Sequence, residues 1–162
     1  MTPDEASEWV IMDDKYAINL GKTLYREAYE EGDVDKLLSV IAPGGFTDMS
    51  YGEPSKYGSE AKTVLRQRAQ QLFSLYKVRL NVIIIDMVIH GDTARDYGWH
   101  EWILTPKAGG SSLRKRERYF EQWTREPDGS WRICFFLNNA DVPEQIGASV
   151  SRWFKTEEPR LR

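Results

Sequence analysis

Two apolar stretches joined by a tight connection constrain the fold of this chain more than any other feature. Residues Lys77–Ile89 are dense in β-branched and large apolar side chains, and Ala94–Thr105 carry aromatic residues at alternate positions. The four residues between them, His90-Gly91-Asp92-Thr93, have the composition of a turn. The pattern predicts a long antiparallel β-hairpin.

Two further strands are predicted after this hairpin, at Leu113–Arg125 and Trp131–Leu137. The turn sequence Pro127-Asp128-Gly129-Ser130 joins them. A brief strand is expected earlier, at Phe46–Tyr51. The four long strands follow one another through short connections, so we expect them to form one antiparallel sheet.

The segments ahead of the long strands have helical spacing of apolar residues. After a short helical stretch at Asp4–Val10, the first long helix is expected to be capped by Asp13 or Asp14 and to end at Gly32. Asp33 caps a short second helix, and a third begins at Ser59 and ends near Tyr76.

Helices followed by strands indicate an α+β fold in which three helices cover one face of a strongly curved antiparallel sheet. Such a cone-shaped α+β barrel encloses an apolar chamber that is open at one end, the usual form of a small-molecule site. The 162 residues suit a single domain, with a core at about 14–143 and a C-terminal tail at 144–162. A short helix is expected near the junction of the two, at Val142–Phe154.

Composition excludes several functions. The net charge of −3 and the pI of about 5.5 argue against nucleic acid, and the run Arg114-Lys115-Arg116 is interpreted as a solvated strand end. The longest apolar run, Val82–Ile85, is too short for a membrane, and the acidic N-terminus is not a secretory signal. A cytoplasmic protein is therefore expected.

Metal ions and cofactors are not expected either. The single cysteine, Cys134, excludes an internal disulfide, and two histidines without clustered carboxylates do not form a metal site. Aromatic residues make up 12% of the chain. This content favours a pocket for a small hydrophobic molecule.

Alternation along the strands predicts which polar side chains face the chamber. In the strand 94–104 the small residues Ala94 and Gly98 suit the helix-covered side, which turns Asp96, His100 and Trp102 inward. The same reasoning applies to the two strands that follow. It places inward Tyr119, Glu121, Trp131, Ile133, Phe135, Leu137 and Asn139.

Several segments resemble the nuclear transport factor 2-like superfamily. The run Tyr25–Pro43 is similar to its opening of a helix, a Gly-Asp step and a short helix. Gly91–Ala94, Trp123–Trp131 and Asn139–Pro143 resemble the SnoaL-like and ketosteroid isomerase-like branches. The resemblance covers residues 14–143. It implies a cystatin-like cone, a homodimer through the outer sheet face, and no single activity, since the superfamily includes isomerases, dehydratases, cyclases and non-catalytic modules.

The resemblance also implies roles for individual residues. Tyr25 falls where ketosteroid isomerases have the tyrosine of their oxyanion hole, and Glu121 falls near their protonated carboxylic acid. Their general base maps onto Met49, one residue from Asp48. Asn139 matches an asparagine of scytalone dehydratases, whose two catalytic histidines have no counterpart in this chain.

From the residues themselves, Asp96 and His100 share a strand face and predict either a catalytic pair or a buried structural one. Glu121 is predicted to be either a proton donor with a raised pKa or the partner of a neighbouring arginine. Tyr25 and Tyr29 are either donors to a substrate oxygen or core residues. Asp48 is either a base or a turn residue at the end of a strand, and Tyr51 is expected to line the mouth or the loop over it.

The leading hypothesis is a cofactor-free enzyme for a small hydrophobic molecule, cyclic and polyketide- or terpenoid-like. The reaction would be isomerisation, dehydration or ring closure by proton transfer. In this hypothesis His100 with Asp96, or Asp48, is the base, and Tyr25 and Glu121 donate to the developing oxyanion. The ligand-binding residues would be Tyr29, Tyr51, Trp102, Tyr119, Phe135 and Asn139. The alternatives are a non-catalytic ligand-binding or dimerisation module and a transport adaptor, which would need an exposed apolar groove.

Overall fold

The structure, a computed structural model, describes residues 3–141, with side chains from residue 13 onward. The predicted helix at 142–154 and the tail at 144–162 lie outside these residues. The helices are α1 (Pro3–Glu31), α2 (Val34–Ser39) and α3 (Gly58–Leu75). The strands are β1 (Thr47–Met49), β2 (Lys56–Tyr57), β3 (Tyr76–His90), β4 (Thr93–Pro106), β5 (Leu113–Arg125) and β6 (Trp131–Ala140).

The first helix is longer than predicted, because α1 continues through the expected cap at Asp13 or Asp14. The prediction of a helix start there is wrong for a tertiary reason. Asp14 is buried, and its carboxylate accepts from Arg125 (2.6 Å) and from the indole of Trp131 (3.2 Å). The end of the helix agrees with prediction: Gly32 has a φ of 71°, a conformation that favours glycine, and Asp33 caps α2 by accepting from the Lys36 amide.

The sheet has the strand order β2-β1-β6-β5-β4-β3 and is mixed. The three contacts among the long strands are antiparallel, as predicted, whereas β1 runs parallel to β6. The antiparallel pairing predicted for the four long strands is therefore confirmed, and the short β1 makes the sheet as a whole mixed. The short β1 lies before α3 in the sequence, and its pairing with the last strand could not be read from any hairpin signal. Within the described chain, β2 and β3 are the edges of an open sheet.

Two β-bulges change how the long strands present their side chains. One lies in β3, where the register shifts between Ile84 and Asp86. Gly98 of β4 faces this bulge, and a Cβ there would lie 1.8 Å from the carbonyl oxygen of Ile83. The glycine is thus required by the neighbouring backbone, rather than by helix packing as the sequence suggested.

The second bulge lies in β6 and reverses its alternation. Gln122 pairs with Phe135 but Trp123 pairs with Ile133, so Cys134 is the extra residue. Beyond it, Phe136 and Asn138 face inward. The predicted inward placement of Phe135 and Asn139 is therefore wrong. Phe135 packs against Phe120, and Asn139 accepts a hydrogen bond from Arg118.

The helices cover the concave face of this curved sheet, and the core lies between the two layers. Ile18, Ala28, Leu37, Trp123 and Ile133 are fully buried there. No helix within residues 3–141 has the length and apolar character needed to cross a membrane.

The opposite, outer face of the sheet carries partly exposed apolar side chains. Ile85 is 50% exposed, Tyr97 43% and Leu137 38%. The homodimer through this face stays a prediction.

Candidate functional site

A cavity of about 400 Å³ opens between the helices and the sheet. Side chains of α1 and α3 form one wall, and those of β1, β4, β5 and β6 form the other. Most of the lining is apolar and aromatic, as in typical small-molecule sites. Its apolar members include Ile41, Phe46, Leu65, Leu72, Trp102, Leu104, Ile133 and Phe136.

Asp48 is the first of two buried carboxylates in the lining. It lies on β1 and is 3% exposed. Ser50 donates to it from its amide (3.0 Å) and its hydroxyl (2.5 Å), and Arg68 of α3 forms an ion pair with the other oxygen. The carboxylate is thereby held in one orientation at the cavity wall, and Arg68 provides a cation beside it.

Glu117 of β5 is the second carboxylate, and the sequence reasoning did not single it out. One of its oxygens accepts from the Trp102 indole and from the Asn138 amide, both at 3.0 Å. Lys115 binds the other oxygen at 2.8 Å. The signal was available, since Glu117 shares the strand parity of Tyr119 and Glu121 that had placed those residues inward.

Two tyrosines from α1, Tyr25 and Tyr29, line the cavity one helical turn apart. Their ring centroids are 5.0 Å apart, and Tyr29 also packs edge-on against Trp102. Burial raises the pKa of Tyr29 to about 12 and the pKa of Tyr25 well above its ordinary value. Both phenols therefore keep their protons at neutral pH and are available as hydrogen-bond donors.

A second polar group, which we call the sealed cluster, lies behind the cavity and consists of Lys22, Asp96, Tyr119, Glu121 and Trp123. The Lys22 ammonium donates to Asp96 (2.6 Å) and Glu121 (2.7 Å). The Tyr119 hydroxyl (2.8 Å) and the Trp123 indole (2.9 Å) also donate to Asp96. Glu121 thus pairs with a lysine of α1, and not with the neighbouring arginine that the sequence had suggested.

Burial determines the protonation behaviour of this cluster. Loss of water raises the pKa of Glu121 to about 7, although the charge of Lys22 opposes the change. Burial alone would lower the pKa of Lys22, but the charges of Glu121 and Asp96 outweigh it and raise that pKa. The lysine therefore stays charged, while Glu121 titrates near neutrality.

His100 is fully buried beside this cluster without joining it. Its ring stacks on Tyr119 at 4.2 Å and on Tyr25 at 5.7 Å. Neither ring nitrogen has a hydrogen-bond partner among the described residues, so the predicted hydrogen bond to Asp96 is absent from this part of the chain. Burial, and then the charges of Lys22 and Lys115, lowers the pKa of His100 well below its ordinary value. A neutral imidazole results.

The structure therefore divides the predicted site residues into three groups. The cavity wall contains Tyr25, Tyr29, Asp48, Tyr51 and Trp102. Behind it lie Asp96, His100, Tyr119 and Glu121, none of which is part of the lining. Phe135 and Asn139 point to the outer face because of the bulge at Cys134. Among the other polar residues of the lining, the sequence did not single out Arg68, Lys115, Glu117 and Asn138 as site residues.

Among the described residues, no three His, Cys, Asp or Glu side chains converge as they would to hold a metal ion. The lining instead offers two buried carboxylates, the two phenols of α1 and two cations around a largely apolar space, which suits the binding and proton transfer of an organic molecule.

Comparisons with known proteins place the fold. No protein-family model matches the chain, and neither does any curated protein. Solved structures, in contrast, do match the chain. A nuclear transport factor 2-like protein with a cystatin-like fold from Novosphingobium aromaticivorans is 17% identical with a TM-score of 0.70, over 94% of this chain and 95% of that one.

Two other similar structures have functional descriptions. A ketosteroid isomerase-like protein from Erwinia carotovora atroseptica is 19% identical with a TM-score of 0.67, over 79% of this chain and 96% of that one. A suggested dehydratase of the nuclear transport factor 2-like family from Streptomyces avermitilis is 18% identical with a TM-score of 0.68, over 80% of this chain and 98% of that one. The chain thus has the nuclear transport factor 2-like fold, which confirms the architecture expected from the resemblance.

Proposed function

We propose that this protein is an enzyme that transfers protons on a small, largely hydrophobic molecule bound in the cavity. One observation carries the proposal: a fixed carboxylate, Asp48, and two protonated phenols, Tyr25 and Tyr29, line the same chamber of about 400 Å³. A volume of this size suits a cyclic compound of the polyketide or terpenoid kind.

Each polar group has a role in this proposal. Asp48 removes a proton from a carbon next to a carbonyl group, and the phenols of Tyr25 and Tyr29 donate to the carbonyl oxygen, on which negative charge develops as the enolate forms. Arg68 holds Asp48 in place. Glu117 is the second carboxylate that can accept or return a proton, and the outcome is isomerisation, dehydration or ring closure.

Support from other proteins is limited to the fold and the descriptions of two structures. A ketosteroid isomerase-like protein and a suggested dehydratase share this architecture at under 20% identity. Their descriptions agree with proton-transfer chemistry but name no substrate for this chain. The proposal therefore rests on the lining residues.

A second candidate function is binding without catalysis. Both buried carboxylates of the lining already have a cationic partner, Arg68 for Asp48 and Lys115 for Glu117. These ion pairs would fix the shape and polarity of the pocket without a carboxylate that takes a proton from the ligand. The same cavity would then hold a ligand without changing it.

Proton exchange separates the two candidates. A panel of cyclic enones of one to four rings is incubated with the protein in D₂O, and incorporation of deuterium next to the carbonyl is followed by NMR. We expect exchange with at least one ring size, its loss in Asp48→Asn, and a decrease of about ten- to a thousandfold in Tyr25→Phe.

The matched control is Asp35→Asn, which removes an exposed carboxylate on α2, outside the cavity. It should leave exchange unchanged. Calorimetric binding of an enone to the wild-type protein without exchange would favour the binding module. Equal exchange rates in wild type and Asp48→Asn would contradict the role of Asp48.

A further inference from the structure

A second concave site lies on the part of the surface that the sequence suggested was a solvated strand end. We call it the basic groove. It has a volume of about 620 Å³ and is bordered by two residues of α1 and by residues of β3, β4 and β5. Five of its lining residues are cationic: Arg26, Arg79, Arg114, Lys115 and Arg116.

The strand register explains why two of these arginines flank the groove. Arg79 of β3 pairs across the sheet with Ile103 of β4, which in turn pairs with Arg114 of β5. Residues paired in this way project from the same face. Strands are separated by about 4.8 Å, which puts the Cα atoms of the two arginines about 10 Å apart on either side of Ile103.

Acidic side chains neutralise only part of this charge. Glu101 lies 3.8 Å from Arg116 and Asp141 lies 3.3 Å from it. Lys115 is paired with Glu117 at 2.8 Å, and Glu30 uses its carboxylate to accept from the Leu80 amide. By contrast, Arg26, Arg79 and Arg114 form no ion pair with any carboxylate of the described residues. Each of these three arginines is exposed.

Convergence of cations here is unusual for this protein, whose net charge is −3. Guanidinium groups that are held near one another without carboxylates repel, and an anion bound between them removes that repulsion. Their planar donors match the oxygen atoms of phosphate groups in particular, and the groove has the volume of a small-molecule site.

We propose that the basic groove binds a small molecule carrying two or more linked phosphates. One phosphate contacts Arg79 and the next contacts Arg114, with Ile103 beneath them. Arg116 forms one side of the groove and does not bind a phosphate, because its guanidinium is stacked 4.4 Å from the ring of Trp99 and is already paired with Asp141. This site is distinct from the cavity in its chemistry and does not depend on the proposed enzymatic activity.

Isothermal titration of the whole protein with inorganic pyrophosphate tests this proposal, with inorganic phosphate as the comparison. We expect pyrophosphate to bind more tightly than phosphate, because it can reach both arginines at once. The double variant Arg79→Gln/Arg114→Gln should weaken the binding of pyrophosphate by about tenfold or more. Raising the salt concentration should weaken binding to the wild type.

The matched control is Arg95→Gln/Arg132→Gln, which changes the net charge equally at positions outside the groove. Its affinity for pyrophosphate should equal that of the wild type. Asp48→Asn should also bind normally, which separates a failure here from a failure of the cavity proposal.

The assignment would be overturned if the wild type did not bind pyrophosphate at millimolar concentration, or if the wild type and the groove variant bound it with equal affinity. It would also be overturned if the control variant lost as much affinity for pyrophosphate as the groove variant. Binding of an acidic peptide without any binding of pyrophosphate would also overturn it, in favour of a protein partner.

Discussion

The cavity and the sealed cluster contain the same kinds of side chain but differ in their access to water. In the cavity, Asp48 and Glu117 are buried, yet their cationic partners reach solvent: the Arg68 side chain is 28% exposed and that of Lys115 is 43% exposed. In the sealed cluster, Lys22, Asp96 and Glu121 are all at or below 7%. An inward-facing acid is therefore a candidate for catalysis only where a substrate can reach it.

Position along one strand separates the two regions. Glu117 and Glu121 lie on the same face of β5, four residues or about 13 Å apart. Near Glu117 the helices leave the chamber open. Near Glu121, Lys22 of α1 donates to the carboxylates of Asp96 and Glu121. The rings of Tyr119 and Trp123 complete the enclosure. The sealed cluster joins α1 to the sheet, which is a structural role.

The largest loss of stability is expected from a substitution that disrupts the sealed cluster. In Asp96→Ala, the Lys22 ammonium, the Tyr119 hydroxyl and the Trp123 indole lose a common acceptor. We expect a loss of about 3–5 kcal/mol in the free energy of unfolding, measured by urea denaturation. Asp48→Ala is the counterpart in the cavity and should cost less, because Arg68 can turn to water. Equal costs would contradict the distinction between the two regions.

The pH dependence of stability should report the enclosure of Glu121. Its folded pKa of about 7 lies above the ordinary value of 4.5, so the folded state holds a proton that the unfolded state has lost. This contribution to stability is fully present below pH 4.5 and is lost as the pH rises through about 7. Relative to Glu121→Gln, the wild type should therefore lose stability between pH 5 and pH 8 in urea denaturation series. A constant difference would show that the carboxyl is not sealed.

His100 should have the opposite dependence on pH. Its folded pKa is lowered below the ordinary 6.5, so it contributes stability above pH 6.5 that is lost as the pH falls. His100→Phe keeps an aromatic ring in the stack and removes the titrating group. We expect the variant to resist mild acid better than the wild type in thermal unfolding. His90→Phe, at an exposed turn position, is the control and should follow the wild type.

The smallest effect is expected at the open site. Asn138 donates to Glu117 and accepts from the Tyr51 amide at 2.7 Å. Asn138→Asp keeps the second contact and places a second carboxylate beside the first. Because Lys115 and solvent screen the added charge, the variant should lose about 1 kcal/mol or less in the free energy of unfolding. A loss as large as that of Asp96→Ala would mean that the cavity is closed to water.

Much of the fold followed from local patterns in the sequence. These patterns predicted the four long strands β3 to β6, the end of α1 at Gly32 and the cap of α2 at Asp33. Each of these features depends on residues that are close together in the chain. Alternation along β4 and β5 likewise turned Asp96, His100 and Glu121 inward, because the direction of a side chain in a regular strand depends only on its parity.

Long-range contacts decided the rest. Because of the bulge at Cys134, Phe136 and Asn138 face the cavity in place of Phe135 and Asn139. One extra residue moves every later side chain of the strand to the opposite face. Lys22 meets Asp96 and Glu121 across 74 and 99 residues of sequence, and Arg68 meets Asp48 only after α3 has packed on β1. By itself the sequence determined which side chains of the regular strands β4 and β5 face inward. Only the tertiary structure decided which of them a ligand can reach, because the opening depends on how the helices pack over the sheet.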